Sequence, residues 1–406
     1  MPDLLPILLG LFVLAALLRI DTYFTVLYLL ALTYVLGRIW ARRAMQQIQT
    51  HRRLVNRAFP GEEIPVSLTV TNDGWLPVPW VEIHDSLPVD LIAPPFFRRV
   101  LSLGSHQTRR FQYTLSCRKR GYYTIGPMRW HTGDLLGFTP QLTAQEASEY
   151  VIIYPQIVPL QRLGLPTHSP LASLPTPHPL FEDTSRVIGV RPYHSGDSPR
   201  HIHWTASAHT RELLVKRYRP AVARETMICL DLNQESYPFT RLYAASELAI
   251  VTAASIANHI IVREDLPAGL ATQAIDPLQD AVRTMKLPPR QERAHLMSIL
   301  EILARVQSYR LGQVPPSDQP APLPLVEFLR GVAMRLTWGT TLVVITGRRT
   351  ESLISTLAYL NREGLAIALI LIMPEAPSEP DQSRGAVLDL PTYQVWQEDA
   401  LEVTWT

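Results

Sequence analysis

A chain of 406 residues is long enough for two or three separate cores, and its net charge of +2 provides no global field for nucleic acid or an acidic partner. Two cysteines, Cys117 and Cys229, are too few for a disulfide framework and lack metal spacing, so they read as buried thiols of a reducing compartment. Gly-x-Ser-x-Gly, Gly-x-x-x-x-Gly-Lys, His-Glu-x-x-His and Cys-x-x-Cys are all missing from the sequence, which removes the common signatures of hydrolase, nucleotide, zinc-protease and redox chemistry.

The amino terminus is apolar over residues 4–18 and again over 23–36, with the polar break Arg19-Ile20-Asp21-Thr22 between. Each stretch is shorter than the roughly 20 residues of an ideal span. The expectation is a transmembrane helical hairpin over residues 1–40; a single kinked span and a re-entrant interfacial segment are the alternatives. Asp3 sits where a signal peptide would carry positive charge, so a cleaved leader is not expected. Arg38, Arg42, Arg43, Arg52, Arg53 and Arg57 follow, with no acid between Asp21 and Glu62. The positive-inside rule makes that flank, and the soluble domains after it, cytoplasmic, which predicts a multi-pass protein of the cell membrane. Residues 41–57 form a basic juxtamembrane segment whose arginines can hold anionic lipid headgroups or form a solvated helix face.

Residues 58–154 change to short alternating strands. IPVSLTVT over 64–71 alternates cleanly, and Asn72-Asp73-Gly74 is a strong turn signal. Further strands are read over 80–84, 100–103, 111–117, 122–125 and 151–154, which predicts an all-β immunoglobulin-like sandwich with a structural or interaction role. Residues 155–180 are a proline-rich linker.

From Phe181 to Thr406 the pattern alternates helix and strand. Gly196-Asp197-Ser198-Pro199 reads as a turn opening a short helix over 200–209, with Arg200, His203, Trp204 and Ser207 on one face. His194, His201, His203, His209 and Asp197 resemble a metal cluster at first sight. On a helix, however, His201 and His203 point about 200° apart and cannot chelate one ion. Asp197 is instead expected to bond the turn and Arg191 or Arg200, with His203 and Trp204 locking the helix onto the sheet. Strands follow at 213–218 and 226–232, and Lys216 to Arg219 alternate in the manner of an ordinary edge strand, so no nucleic acid is expected. An amphipathic helix over 241–261, a strand at 268–274 and helices at 289–306 and 325–336 come next. TTLVVIT over 340–346 and LAIALILIM over 365–373 are buried strands flanking a helix at 351–363, and 393–396 is an edge strand. Continuous apolar strands separated by helices imply a mostly parallel sheet covered on both faces, with ligands beyond the strands' carboxyl ends.

The run Gly189-Val190-Arg191-Pro192-Tyr193, Gly196-Asp197, Arg200, Ile202-His203-Trp204, Ala208 and Leu213-Leu214-Val215, ahead of an apolar strand ending in Asp231, resembles the bacterial family called domain of unknown function 58. Arg120-Gly121-Tyr122, Gly133-Asp134-Leu135-Leu136-Gly137 and Leu287-Pro288-Pro289 with His295-Leu296 extend the likeness over nearly the whole chain. The resemblance implies a von Willebrand factor A-like α/β domain, a link to MoxR-type AAA+ ATPases and no established enzymatic activity. Such a domain invites a test for a metal-ion-dependent adhesion site, which needs Asp-x-Ser-x-Ser, a Thr from another loop and a further Asp around Mg²⁺. This sequence offers Asp231, Asn233 and Glu235, with Ser236 adjacent. It places Gly347, Arg348 and Arg349 where an acid is needed. The rim is therefore expected to be a degenerate, protein-binding version of that site without a cofactor; in the plainest case Asp231 caps its loop or pairs with Arg348. The expectation is a membrane-anchored, non-enzymatic adaptor. The alternative is a metal-dependent binding or hydrolytic domain using Asp231, Asn233, Glu235 and Asp197.

Overall fold

The computed structural model describes residues 10–13, 16–17, 21–91, 97–133, 142–159, 182–193, 202–210, 212–220, 225–279, 281–311, 322–373 and 392–396. The chain divides into two compact units. One is Met1–Gln156 with Leu303–Arg305, and the other is Ile157–Ile302 with Val306–Thr406.

The first unit opens with helix α1 (Asp21–Gln47), 27 residues long. No proline interrupts this stretch, so the helix passes through Arg38, Arg42 and Arg43 instead of stopping with the apolar run at Leu36. Inside it the Thr25 and Thr33 hydroxyls donate back to the carbonyls of Asp21 and Leu29, which satisfies them without solvent. The helix is long and apolar enough to cross a membrane, and little of it is buried. Residues 239–263 meet the same length and hydropathy test but are largely buried in the second unit, as a core helix is. Most of the first half of the expected hairpin lies outside the described residues, and the multi-pass arrangement has no support.

Ten strands follow: β1 (Ile48–Arg53), β2 (Arg57–Ala58), β3 (Glu63–Asn72), β4 (Val78–Asp85), β5 (Phe97–Leu103), β6 (Thr108–Ser116), β7 (Gly121–Ile125), β8 (Met128–Thr132), β9 (Leu142–Gln145) and β10 (Glu149–Ile153). They form three sheets, ordered β1-β3-β6, β2-β10-β7 and β5-β4-β8-β9. In β3 the period-2 pattern buries Ile64, Val66, Leu68 and Val70 in a core shared with Val81, Ile83, Leu115, Ile125, Met128, Val151 and Ile153. The turn after β3 forms as its sequence demands. Asn72, fully buried, accepts from the Gly74 amide at 3.1 Å and donates to the carbonyls of Leu76 and Gly104 at 2.8 and 2.9 Å.

The second unit contains β11 (Glu182–Pro192), α2 (Trp204–Thr210), β12 (Leu214–Pro220), β13 (Thr226–Asp231), α3 (Leu242–Asn258), β14 (Ala268–Asp276), β15 (Ala281–Arg290), α4 (Arg293–Arg305, except its last turn Leu303–Arg305), α5 (Leu325–Ala333), β16 (Thr341–Thr346), α6 (Glu351–Arg362), β17 (Ala366–Ile372) and β18 (Thr392–Val395). Strands β11 and β12 pair antiparallel by themselves. The main sheet is ordered β15-β14-β13-β16-β17-β18 and is parallel except for the edge strand β15. Helices α5 and α6 cover one face, over Met227, Cys229, Leu342, Val344, Leu369 and Leu371.

Helix α3 lies against β13, β16 and β17 and is buried nearly all round, not amphipathic as its sequence suggested. Its Ala249, Ala253, Ala254 and Ala257 are small enough to let the helix sit close on the sheet. Burial pushes the Cys229 thiol up to about 12, the inert state expected of a core cysteine. The chain builds β13, β14 and β15 outward, then returns to lay β16 on the other side of β13. That reversal makes the carboxyl ends of β13 and β16 the switch point of the sheet, where ligands bind in such folds.

Candidate functional site at the carboxyl ends of β13 and β16

Asp231 closes β13 and is 4% exposed. One carboxylate oxygen accepts from the Asn233 amide at 3.0 Å, and the other from the Thr346 hydroxyl at 2.8 Å. The Ser236 hydroxyl also favours its ionised form, yet burial dominates and pushes the carboxyl above the ordinary carboxylate range. Below it the Tyr237 hydroxyl donates to the Asp231 carbonyl. Burial, then the Asp231 charge, pushes the phenols of Tyr237 and Tyr309 up, so both remain donors.

The loop after Asp231 is built locally. Asn233 accepts from the Glu235 amide at 3.3 Å and caps the 3₁₀ turn Gln234–Ser236. Backbone bonds from Gln234 to Tyr309 (2.8 Å) and from Tyr309 to Leu232 (3.1 Å) fix that turn against the segment after α4. A side chain at Gly347 would place its Cβ 2.4 Å from the Tyr237 ring and 2.5 Å from the Ser236 carbonyl oxygen, so only glycine lets the two loops meet.

Asp231, Asn233, Ser236 and Gly347 are thus brought together. Glu235 and Arg348 sit at the same rim but are exposed. The alternative of an Asp231–Arg348 pair is corrected: Thr346, not Arg348, holds the carboxylate, and Arg348 contributes only its amide to the Thr346 hydroxyl at 3.4 Å. Thr346, Tyr237 and Tyr309 were not singled out from the sequence. The signal for Thr346 was available, because an adhesion-site reading asks for a threonine from another loop and Thr346 ends a buried strand.

The family-motif residues are placed as follows. Gly196, Asp197 and Arg200 lie outside the described residues. Arg191 is exposed, with its guanidinium 3.2 Å from the Pro192 carbonyl, and the Tyr193 amide donates to Leu213 at 2.9 Å. Ile202 pairs with Val215, so the chain is still extended there and the helix starts at Trp204, later than the Pro199 start expected. His203 caps that helix by accepting from the Ala206 amide through Nδ1 at 3.2 Å. Trp204 is 67% exposed and locks nothing. That task is shared by Ser207, whose buried hydroxyl accepts from the Leu214 amide at 2.9 Å, and by His203, whose amide donates to the Leu214 carbonyl at 2.8 Å.

Of the arginines assigned to the membrane surface, Arg42, Arg43, Arg53 and Arg57 are exposed, and Arg38 turns back to the Tyr34 hydroxyl at 2.7 Å. Arg52 is a correction. Its position on β1 faces the core, where it pairs with Asp85 at 2.7 Å and donates to the Ile125 carbonyl at 3.1 Å. The segment 41–57 reads as a basic juxtamembrane segment because its polarity hides that β1 extends the sheet of β3.

The family model described as protein of unknown function DUF58 matches residues 189–396, which contain β12 to β18 and the rim at the ends of β13 and β16. The chain belongs to this family. Among DUF58-like relatives, "Uncharacterized protein YeaD" of Bacillus subtilis (strain 168) is 22% identical over 387 residues, covering 89% of this chain and 82% of that protein. Solved structures similar to part of the DUF58 chain include the CARDB domain of the PF1109 protein from Pyrococcus furiosus, described in complex with di-metal ions. It is 12% identical, covers 26% of this chain and 91% of that one, and has a TM-score of 0.20. A complex of zinc 2-glycoprotein and prolactin inducible protein from human seminal plasma gives 12%, 26%, 92% and 0.21. Likenesses at these TM-scores carry no argument.

Proposed function

We propose that this DUF58 protein is a membrane-tethered, non-enzymatic adaptor whose α/β unit offers the β13–β16 rim to a cytoplasmic protein partner. The observation that carries the reading is a contrast at the rim. Both Asp231 carboxylate oxygens are bonded by the protein's own loops, while Phe239, 87% exposed, and the exposed Arg348 stand on the two loops that meet at Gly347. Exposed aromatics and arginines are the residue types enriched among interface anchors. The strand order, with its antiparallel edge β15, supports a von Willebrand factor A-like unit. The alternation and shared core of β1 to β10 support an immunoglobulin-like sandwich as spacer. A MoxR-type AAA+ ATPase is the partner that the resemblance supplies.

The rim's donor set does not fit Mg²⁺. The Asp231 and Thr346 oxygens converge, but Asn233 turns its acceptor to the Glu235 amide, Glu235 is exposed, and Arg348 and Arg349 follow where a second acid is needed. Among the described residues there is no group of three or more His, Cys, Asp or Glu side chains placed to hold an ion. Co-purification of the ATPase with the full chain from membranes tests the adaptor. Retention that is lost with Phe239→Ala supports it, and an ATPase that is never retained overturns it. Calorimetric binding of Mg²⁺ that Asp231→Ala abolishes would favour the metal-dependent alternative.

A further inference from the structure

In the first unit, α1 passes into the sheet without a linker: Gln47 ends the helix and Ile48 begins β1. Its last turns are fastened to the turn between β3 and β4 at two heights. The Asp73 amide donates to the Gln47 carbonyl at 3.0 Å, and the Trp40 indole donates to the Pro77 carbonyl at 3.0 Å. Ala41 and Ala44 are buried between these points. Gly74 approaches so closely that a Cβ would overlap the Gln47 side chain. The turn is itself braced, because the His106 amide and the Ser105 hydroxyl both donate to the Gly74 carbonyl, at 3.1 and 3.3 Å. Residues 73–77 therefore climb alongside the final turns of α1 toward its apolar part.

Midway along that climb stands Trp75, 67% exposed. From Asp21 to Arg38 the helix rises about 26 Å at 1.5 Å per residue, close to the roughly 30 Å of a bilayer's hydrocarbon core. Trp40 then falls just past the apolar segment, and Trp75 lies between the heights of Trp40 and Gln47, level with the exposed Arg42 and Arg43. A single exposed apolar side chain is ordinary. Here its height along the helix matches the layer where tryptophan anchors and arginine meets anionic headgroups.

We propose that the turn 73–77, led by Trp75, docks into the anionic lipid headgroup layer, so that the β unit stands on the membrane in a fixed pose. The inference rests on the membrane-tether reading, and its test separates the two. Cys117 and Cys229 are buried, so a cysteine introduced at an exposed position can be labelled selectively with a nitrobenzoxadiazole dye. The positions are Leu29→Cys on α1, Trp75→Cys at the turn, and Val89→Cys in the connection after β4, at the far end of that strand. The full chain is reconstituted in phosphatidylcholine–phosphatidylglycerol vesicles carrying, in separate samples, deep nitroxide quenchers that reach position 29 or shallow ones that reach the headgroup layer. The expected result is a severalfold rise in emission with strong lipid quenching at positions 29 and 75, and neither at 89. Quenching at 29 with position 75 behaving like 89 overturns the docking and leaves the tether standing. An aqueous signal at all three positions overturns both.

Discussion

Each unit buries a carboxylate, and the two are held in opposite ways. Asp85, in the β unit, accepts from the Arg52 guanidinium at 2.7 Å and from the Tyr113 hydroxyl at 2.6 Å. Burial, then the Asp85 charge, keeps the Tyr113 phenol well above its ordinary range, so it stays a donor. Asp231, in the α/β unit, is bonded by hydroxyls and an amide and by no cation among the described residues, and burial pushes its carboxyl up. A buried charge with its counter-charge cements strands together. A buried charge without one is a cost the fold bears, and functional sites are where perturbed groups concentrate. The β unit is thus read as a scaffold, and the α/β rim as the place where the protein meets something else.

The largest expected effect breaks the compensated pair. Arg52→Met leaves Asp85 buried without its counter-charge, held only by the Tyr113 hydroxyl, which costs about 3–5 kcal/mol. The measure is denaturant unfolding of the full chain in detergent, and a second change, Asp85→Leu, is expected to restore most of the loss. An arginine that served only lipid headgroups would give a silent Arg52→Met. Next comes the contact where the two rim loops meet: Gly347→Ala forces a Cβ against Tyr237 and the Ser236 carbonyl. Overpacking of this kind costs about 1–3 kcal/mol, read as a lower melting temperature.

Removing the uncompensated charge acts the other way. The folded-state carboxyl of Asp231 is raised, so its contribution to stability is full in acid, below the ordinary carboxylate range, and is lost as pH rises through the raised value. Asp231→Asn is therefore expected to be more stable than the parent at neutral pH, with the gain shrinking as pH falls. Melting curves across that range check it, and a loss of stability at neutral pH would contradict it. Smallest is Phe239→Ala, which touches an exposed anchor and should change stability by less than about 0.5 kcal/mol.

How much of this was legible in the sequence follows from which forces each residue obeys. Strands buried on both faces, such as β16 and β17, announce themselves as apolar runs, and β3 by its alternation. Strand β15 did not, because an edge strand with one exposed face and Pro288-Pro289 shows neither pattern. Strand β1 did not because IQTHRR reads as a basic tail, and only the distant Asp85 makes Arg52 a core residue. At the rim, Asp231 stood out as the end of an apolar strand, whereas the Thr346 bond joins residues 115 apart in sequence. Local signals place a carboxylate at a strand end; they do not say which hydroxyl the topology will bring to it.

The central claim is that the β13–β16 rim grips another polypeptide. The most direct test is the equilibrium affinity of a MoxR-type AAA+ ATPase for the vesicle-reconstituted full chain, compared among wild type, Phe239→Ala and Arg348→Glu. The account predicts binding by wild type and a loss of about tenfold or more, at least about 1.4 kcal/mol, in each variant with melting unchanged. Equal affinity in all three, or no binding by wild type, would contradict it.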